Sequence, residues 1–431
     1  MINDDTQFHD LAERCKGKLV VAVQGLGFVG SAVCAAVASV VEKSGSPKYF
    51  VIGVDLPTPE SFWKVEKINA GEMPFPSADA SLSEVIHHAV KKQKNLVAVC
   101  DPRVYRLASV IIMDVQLDVA AYPYDGSRNI TIETTGFTKA AREIGRHMCE
   151  DALVIVETTV PIGTTEHIVA PAIREERKLR GITQPALLAH CYERVMPGAN
   201  YLKSIRAMSR CYSGVDAPSA EAAGAFLQSI TEGSEVKHRR MASSTASEMA
   251  KLLENSYRAA NIAFIHEWTL LAEKSGVNLW DVVDAIRIRK GTHDNMRYPG
   301  FGVGGYCLTK DSLLAQWGGE NLLQVDTGLD TTLRALQTNY HMPLHTLDLL
   351  RELLGENLKG KSVVLCGISY LPDVGDTRNS PSQIFADAAL AAGVKLTLHD
   401  PNVSLWPERP DVPFVHNLEA AIATADALVF T

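Results

Sequence analysis

Cys307 stands in the run Pro299-Gly-Phe-Gly-Val-Gly-Gly-Tyr-Cys-Leu-Thr-Lys-Asp311, a glycine-rich loop with an acid four residues beyond the thiol. Glycines let a backbone turn left-handed and come close to a ligand. A cysteine held there attacks a carbonyl carbon once it has lost its proton. Taken alone, a cysteine more often packs as a small inert hydrophobe. The rest of the chain weighs against that reading. Upstream, Lys251 and Asn255 are four apart, Arg258 lies three beyond Asn255, and Glu248 lies three before Lys251. On a helix this spacing gathers them on one face. Such a stripe usually meets water. Buried, a lysine and an asparagine make a clamp for a developing oxyanion.

The elements that position these groups are legible. Residues 243–275 lack Pro and Gly and are rich in Ala, Leu, Glu, Lys and Met, which predicts one long helix, with Gly276 at its end. Its Ala, Ile and Phe residues around 259–265 imply burial on several sides, and a helix of this length joining two domains is a natural dimer interface. Near the start, Lys18–Val23 reads as a buried parallel strand. It runs into Gly25-Leu-Gly27-Phe28-Val29-Gly30 and a helix of small residues. Strand, GxGxxG and helix in that order form a Rossmann dinucleotide fingerprint. Gly25 makes the tight turn, Gly27 admits the pyrophosphate and Gly30 lets helix and strand pack closely. A second strand ends in Asp55, placed for a ribose 2′-hydroxyl. No Arg stands beside it in the sequence for a 2′-phosphate, so NAD is favoured over NADP.

Further strands are expected at Ala108–Val115 and Ala152–Glu157. The second leads into Thr158-Thr-Val-Pro-Ile-Gly-Thr-Thr165, at a place where open α/β sheets hold ligands. These threonines serve equally as caps and turn formers. The last hundred residues repeat the alternation. A strand at Ser362–Cys366 is followed by a turn, a helix is expected at Gln383–Ala392, and a strand at Val394–His399 ends in Asp400. Arg378 near a helix start suits a phosphate, or else a surface ion pair. The fold expected is α/β, with two Rossmann-like doubly wound parallel-sheet domains joined by a long central helix. The chain stops in an apolar strand at Thr431, so the last domain reads as truncated.

Composition narrows the function. The chain of 431 residues has room for two or three domains, and 46% hydrophobic with 21% charged residues describes an ordinary folded protein. A formal net charge of -8 argues against a general binder of nucleic acid or acidic membrane. The eight scattered cysteines form neither a disulfide framework nor a zinc site, so no metal is expected. No signal peptide opens the chain, and no apolar run has membrane-spanning length. The expected location is therefore the cytoplasm.

Taken together, these motifs resemble the UDP-glucose/GDP-mannose dehydrogenase family of nucleotide-sugar 6-dehydrogenases, over nearly the whole chain. The resemblance implies an NAD domain (1–218), a central helical dimerisation domain with the cysteine loop (219–335) and a nucleotide-sugar domain (336–431). It implies a homodimer, a UDP-sugar substrate, and oxidation of the sugar C6 alcohol to a carboxylate with two NAD and no metal. By the same resemblance Cys307 forms a thiohemiacetal and then a thioester. Lys251 and Asn255 stabilise the oxyanion, Asp311 assists proton transfer or positions water, Glu193 serves thioester hydrolysis, and Thr159 holds a water. Arg378 lies near the cofactor. Substrate contacts fall on Glu193, Arg194, Val195, Met196, Lys251, Asn255, Arg258, Phe301, Gly302, Gly304 and Gly305.

The form Glu193-Arg-Val-Met-Pro-Gly198 resembles members acting on UDP-N-acetylhexosamines, with UDP-glucose as the alternative sugar. Three positions depart from the family pattern. Tyr306 replaces a histidine, Gln116-Leu117-Asp118 replaces a Thr-Pro cofactor contact, and Leu371 replaces a lysine. Leu371 and the short C-terminus motivate a different reading, a nucleotide-binding protein with decayed catalysis. A hydroxy-acid dehydrogenase using Lys251 is a further alternative, and it has no need of Cys307.

Overall fold

The computed structural model describes residues 5–119, 129–193, 198–233, 235–372 and 375–431. Its chain divides into two compact units. One comprises Met1–Ala120, Thr131–Lys251 and Trp317–Asp326. The other comprises Ala121–Ile130, Leu252–Gln316 and Thr327–Thr431.

In the first unit the apolar run after Lys18 becomes β1 (Leu19–Gln24), buried beyond its first residue. Strands covered on both faces read as continuous apolar runs. With β2 (Tyr49–Val54), β3 (Leu96–Val99), β4 (Val110–Met113), β5 (Leu153–Val156), β6 (Leu187–Cys191), β7 (Cys211–Gly214) and β8 (Arg239–Arg240) it forms one sheet. The order is β3-β2-β1-β4-β5-β6-β7-β8. The first six strands are parallel and β7 runs antiparallel to β6. Strand order reverses beside β1, which pairs with β2 through Val21–Val51 and with β4 through Val21–Val110. Ligands bind at such switch points, beyond the carboxyl ends of the strands. The helix Phe28–Ala38 is buried from Gly30 onward, which its run of Ala, Ser, Val and Gly permits. The strand expected at Ala108–Val115 is shorter, because it gives way at Asp114 to the turn over the glycine loop.

In the second unit β9 (Ser362–Cys366), β10 (Lys395–His399) and β11 (Ala427–Phe430) form a parallel sheet of order β10-β9-β11. Leu365, Phe385, Leu398 and Trp406 are at its core. The helix Pro381–Ala391 starts two residues earlier than expected. Pro381 takes its first turn, where no N–H is needed, and Ser380 caps it by accepting from the Ser382 amide.

The long helix spans Ser244–Lys274, and the boundary between units falls within it, after Lys251. Glu248, Lys251 and Asn255 are 1%, 8% and 2% exposed, so the polar stripe is buried rather than solvated. The opposite expectation, that apolar residues near 259–265 cover the other faces, holds only in part. Phe264 is exposed, as are Leu253, Tyr257, Trp268 and Leu271. Among the described residues no helix is long and apolar enough to cross a membrane.

Candidate active site

The glycine turn in the first unit has the form a dinucleotide needs. Gly25 has φ +95°, and a Cβ there would sit 2.4 Å from the Asp114 carbonyl oxygen. A Cβ on Gly30 would sit 1.9 Å from the Gly25 oxygen, so only glycine lets the helix approach. Gly27 has open space where its Cβ would be, which leaves the helix N-terminus accessible to a pyrophosphate. Val29 is half-buried, and Phe28 stacks on Phe75 with ring centroids 4.4 Å apart.

Asp55 follows β2. Its Oδ2 accepts from the Leu26 amide (3.0 Å) and the Lys64 ammonium (2.9 Å), and its Oδ1 accepts from the Leu56 amide. No Arg stands beside Asp55 in sequence, yet a cation reaches it from the next helix, Pro59–Ala70. Lys64 lies outside the dinucleotide motif, although a basic residue in the helix after such an acid is the signal to seek.

Two more acids at strand ends also fall outside that motif. Buried Glu157, after β5, pairs with Arg210. Burial, opposed by Arg210, raises its carboxyl above the usual range. Asp114, after β4, is pushed well above the carboxylate range, chiefly by desolvation and then by Glu157 and Glu193. The nearby Leu117 is buried.

The same unit holds Lys251. Its Nζ donates to the Glu193 carbonyl (3.0 Å) and lies 5.6 Å from the centre of the Tyr192 ring. Thr159 is half-buried on the turn after β5. Two neighbouring threonines do structural work. Thr164 donates to the Pro161 carbonyl (2.7 Å), and Thr165 is bound to Glu248. One residue before Glu248, Ser247 contacts His190 Nδ1 and Ser213, each at 2.7 Å. Burial and then Lys251 press the His190 pKa down to about 3, so this imidazole stays neutral. Arg194, Val195 and Met196 lie outside the described residues.

The cysteine loop belongs to the second unit. Cys307 is exposed, and its carbonyl accepts from the Lys310 (3.2 Å) and Asp311 (3.0 Å) amides as the chain enters the helix Asp311–Asn321. The loop glycines provide close packing. A Cβ on Gly305 (φ +83°) would sit 2.7 Å from the Tyr370 ring. One on Gly304 would sit 2.6 Å from Pro381, and one on Gly302 would sit 2.5 Å from it. Phe301 meets Phe385 edge-on at 5.9 Å.

Asp311 is buried. Its Oδ2 accepts from Asn255 Nδ2 (2.6 Å) and its Oδ1 from Lys310 (3.1 Å). Arg258 donates to Asn255 Oδ1 (3.0 Å), which fixes the amide between cation and carboxylate. Lys310 lies 4.6 Å from the centre of the Tyr306 ring, and Arg378 lies 6.0 Å from it. Arg378 also grips Asp376 through Nε (2.9 Å) and Nη2 (2.6 Å). Among the described residues no group of three or more His, Cys, Asp or Glu could hold a metal ion.

Six parallel strands with a switch point beside a GxGxxG turn define a dinucleotide-binding architecture. Family models narrow it. The NAD-binding domain of the UDP-glucose/GDP-mannose dehydrogenase family matches residues 19–230, its central domain 245–338 and its UDP-binding domain 364–431. A UDP-N-acetyl-D-mannosamine dehydrogenase of Pyrococcus horikoshii is 31% identical over 95% of this chain and 88% of its own length.

Among solved structures, the NDP-N-acetyl-D-galactosaminuronic acid dehydrogenase of Methanosarcina mazei is 28% identical, with TM-score 0.78 over 98% of this chain and 87% of its own. A UDP-glucose dehydrogenase of Pyrobaculum islandicum is 25% identical, with TM-score 0.78 over 96% and 90%. The chain belongs to the UDP-glucose/GDP-mannose dehydrogenase family, and it is an NAD-dependent nucleotide-sugar dehydrogenase.

Proposed function

We propose that the protein oxidises the C6 alcohol of a UDP-N-acetylhexosamine to the uronic acid, through a covalent intermediate on Cys307. The observation that carries this reading is the buried Asp311–Asn255 pair, held from the surface by Arg258, at the end of a loop that leaves Cys307 exposed. An inert packing cysteine has no use for such a support. NAD, held by the glycine turn and Asp55, accepts hydride when bound. The C6 alcohol loses a hydride to the first NAD and a proton to give the aldehyde, and Cys307 sulfur adds to its carbon to give a thiohemiacetal. Its oxidation, with loss of a hydride and a proton, leaves a thioester. Water cleaves this to carboxylate and thiol, so the whole sequence takes four electrons to two NAD.

Lys251 and Asn255 stabilise the oxyanion at C6, and a lysine ammonium also favours thiolate. Asp311 moves or holds a proton, while Glu193 and Thr159 position the attacking water. Arg258, Phe301, Gly302, Gly304 and Gly305, with Arg194, Val195 and Met196, contact the sugar nucleotide. Arg378 serves the cofactor. Residues 1–218 bind NAD, 219–335 dimerise and 336–431 bind the nucleotide sugar.

The acetamido sugar is supported by the Glu193–Gly198 sequence and by the names of the relatives that match. The backbone does not discriminate, since the UDP-glucose enzyme superposes as well. A panel of UDP-glucose and UDP-N-acetyl-mannosamine, -glucosamine and -galactosamine tests it. Turnover of an acetamido sugar is expected, and turnover of UDP-glucose alone overturns the assignment.

The homodimer is supported by the stripe Leu253, Tyr257, Phe264, Trp268 and Leu271, exposed by 49–64% at spacings of four, seven, four and three. A seam of this period suits a second helix. Sedimentation should give a two-chain mass that Trp268→Glu lowers. A monomeric wild type rules the seam out.

A further inference from the structure

Glu248 has no part in the chemistry above, yet it is 1% exposed and one helical turn before Lys251. Its Oε2 accepts from the Gly163 amide (2.6 Å). Its Oε1 accepts from the Thr165 amide (2.8 Å) and hydroxyl (2.6 Å). Three donors from one turn thus converge on one carboxylate of the long helix. That turn, residues 158–165, carries Thr159. A second tie lies beside the first, where Ser244 donates to Glu166 Oε1 (2.5 Å). A carboxylate this buried keeps its charge only through such donors.

We propose that Glu248 is a positioning residue: its ionised carboxylate clamps the Thr159 turn to the helix carrying Lys251, and its protonation releases that turn. The inference rests on the functional reading above, which makes Thr159 and Lys251 partners in the reaction. Protonated Oε2 presents a hydrogen to the Gly163 N–H, so one of the three contacts becomes a clash of two donors. With the turn released and the carboxyl still buried on its helix, the donors that lower its pKa are gone, so the released form holds the proton more tightly than the clamped one.

The charged groups around Glu248 are few. Glu166 faces it from the segment after the turn, Lys251 follows on its own helix, and His190 from β6, which touches Ser247, is held neutral. Desolvation is the largest influence on Glu248 and lifts its pKa to about 7. The Thr165 and Gly163 donors oppose the rise and Glu166 adds to it.

The clamp has two effects of opposite sign. Ionising the carboxyl in place costs stability, so stability falls as pH rises from the ordinary 4.5 through about 7. Over the same window turnover rises as the clamp closes. A group that merely supports the fold moves both together.

The test compares wild type with Glu248→Gln by turnover on UDP-sugars, thermal midpoint and amide hydrogen exchange, each against pH. Wild-type kcat should rise through about pH 7. The variant should lack that limb and stay on the order of ten-fold below the wild-type plateau, with KM values within about three-fold. Protection of the Gly163 and Thr165 amides should increase with pH relative to the variant. Equal kcat and the same limb in both proteins overturn the proposal. So does a variant that loses thermal stability alone, or amide protection that is the same in both. Failure of the wild type to oxidise any UDP-sugar sinks the functional reading instead, and the exchange data still decide the clamp.

Discussion

The glycine turns after β1 and after β9 share a plan and diverge in use. The Gly25 amide donates to Val54 at the end of β2 (2.8 Å), and the Gly367 amide donates to His399 at the end of β10 (2.9 Å). Both glycines have positive φ, +95° and +106°. In each case the acid after the second strand turns back to the amide after the glycine. Asp55 accepts from Leu26 at 3.0 Å and Asp400 from Ile368 at 2.9 Å. A serine in each succeeding helix also returns to its turn, Ser31 to the Leu26 carbonyl and Ser382 to the Gly367 carbonyl, both at 3.1 Å.

Beyond the turn the two chains part. The first enters its helix at Phe28, with Gly27 open to a phosphate. The second runs on to Pro381, through a segment that carries Tyr370 and Arg378. Asp400 is buried and takes the Ile368, Ser369, Asn402 and Val403 amides and the Ser369 hydroxyl. Its four lone-pair sites are saturated by its own chain. Asp55 is half-buried and takes two amides and Lys64. One turn therefore stays open, as the proposed NAD site requires, and the other is closed on itself. A nucleotide in the second domain must be met by groups outside the Gly367–Asp400 pair, such as those on 368–380.

Two substitutions separate the turns. Asp400→Ala strands several buried donors and should cost on the order of 3 kcal/mol in denaturant unfolding, while NAD affinity stays within about two-fold. Asp55→Ala should cost about 1 kcal/mol of stability and raise the NAD dissociation constant about ten-fold, by calorimetry. NAD binding that responds to Asp400 and ignores Asp55 would reverse the two assignments.

Much of this is legible in the sequence because it depends on local patterns. The GxGxxG turn, Asp55, the long helix and the cysteine loop are each set by residues within a short window. The long-range pairings are not legible, because they join residues far apart in the chain. Arg210, just before β7, reaches Glu157 across 53 residues, and Glu248 meets a turn more than eighty residues earlier. Lys64 is only 9 residues from Asp55, and its pairing depends on where the intervening helix starts. The glycines of the cysteine loop have a use that their richness alone does not reveal. Besides any approach to a ligand, Gly302, Gly304 and Gly305 give room to Pro381 and Tyr370. The exposed face of the long helix shows the limit of periodicity, which marks an apolar stripe without saying whether the same chain covers it.

The covalent role of Cys307 is tested most directly by the NADH released per uronic acid formed, in wild type and in Cys307→Ser. About two NADH per carboxylate are expected in wild type, and no carboxylate from the variant. Near-normal carboxylate output from Cys307→Ser would contradict the thioester route and leave the cysteine a structural residue.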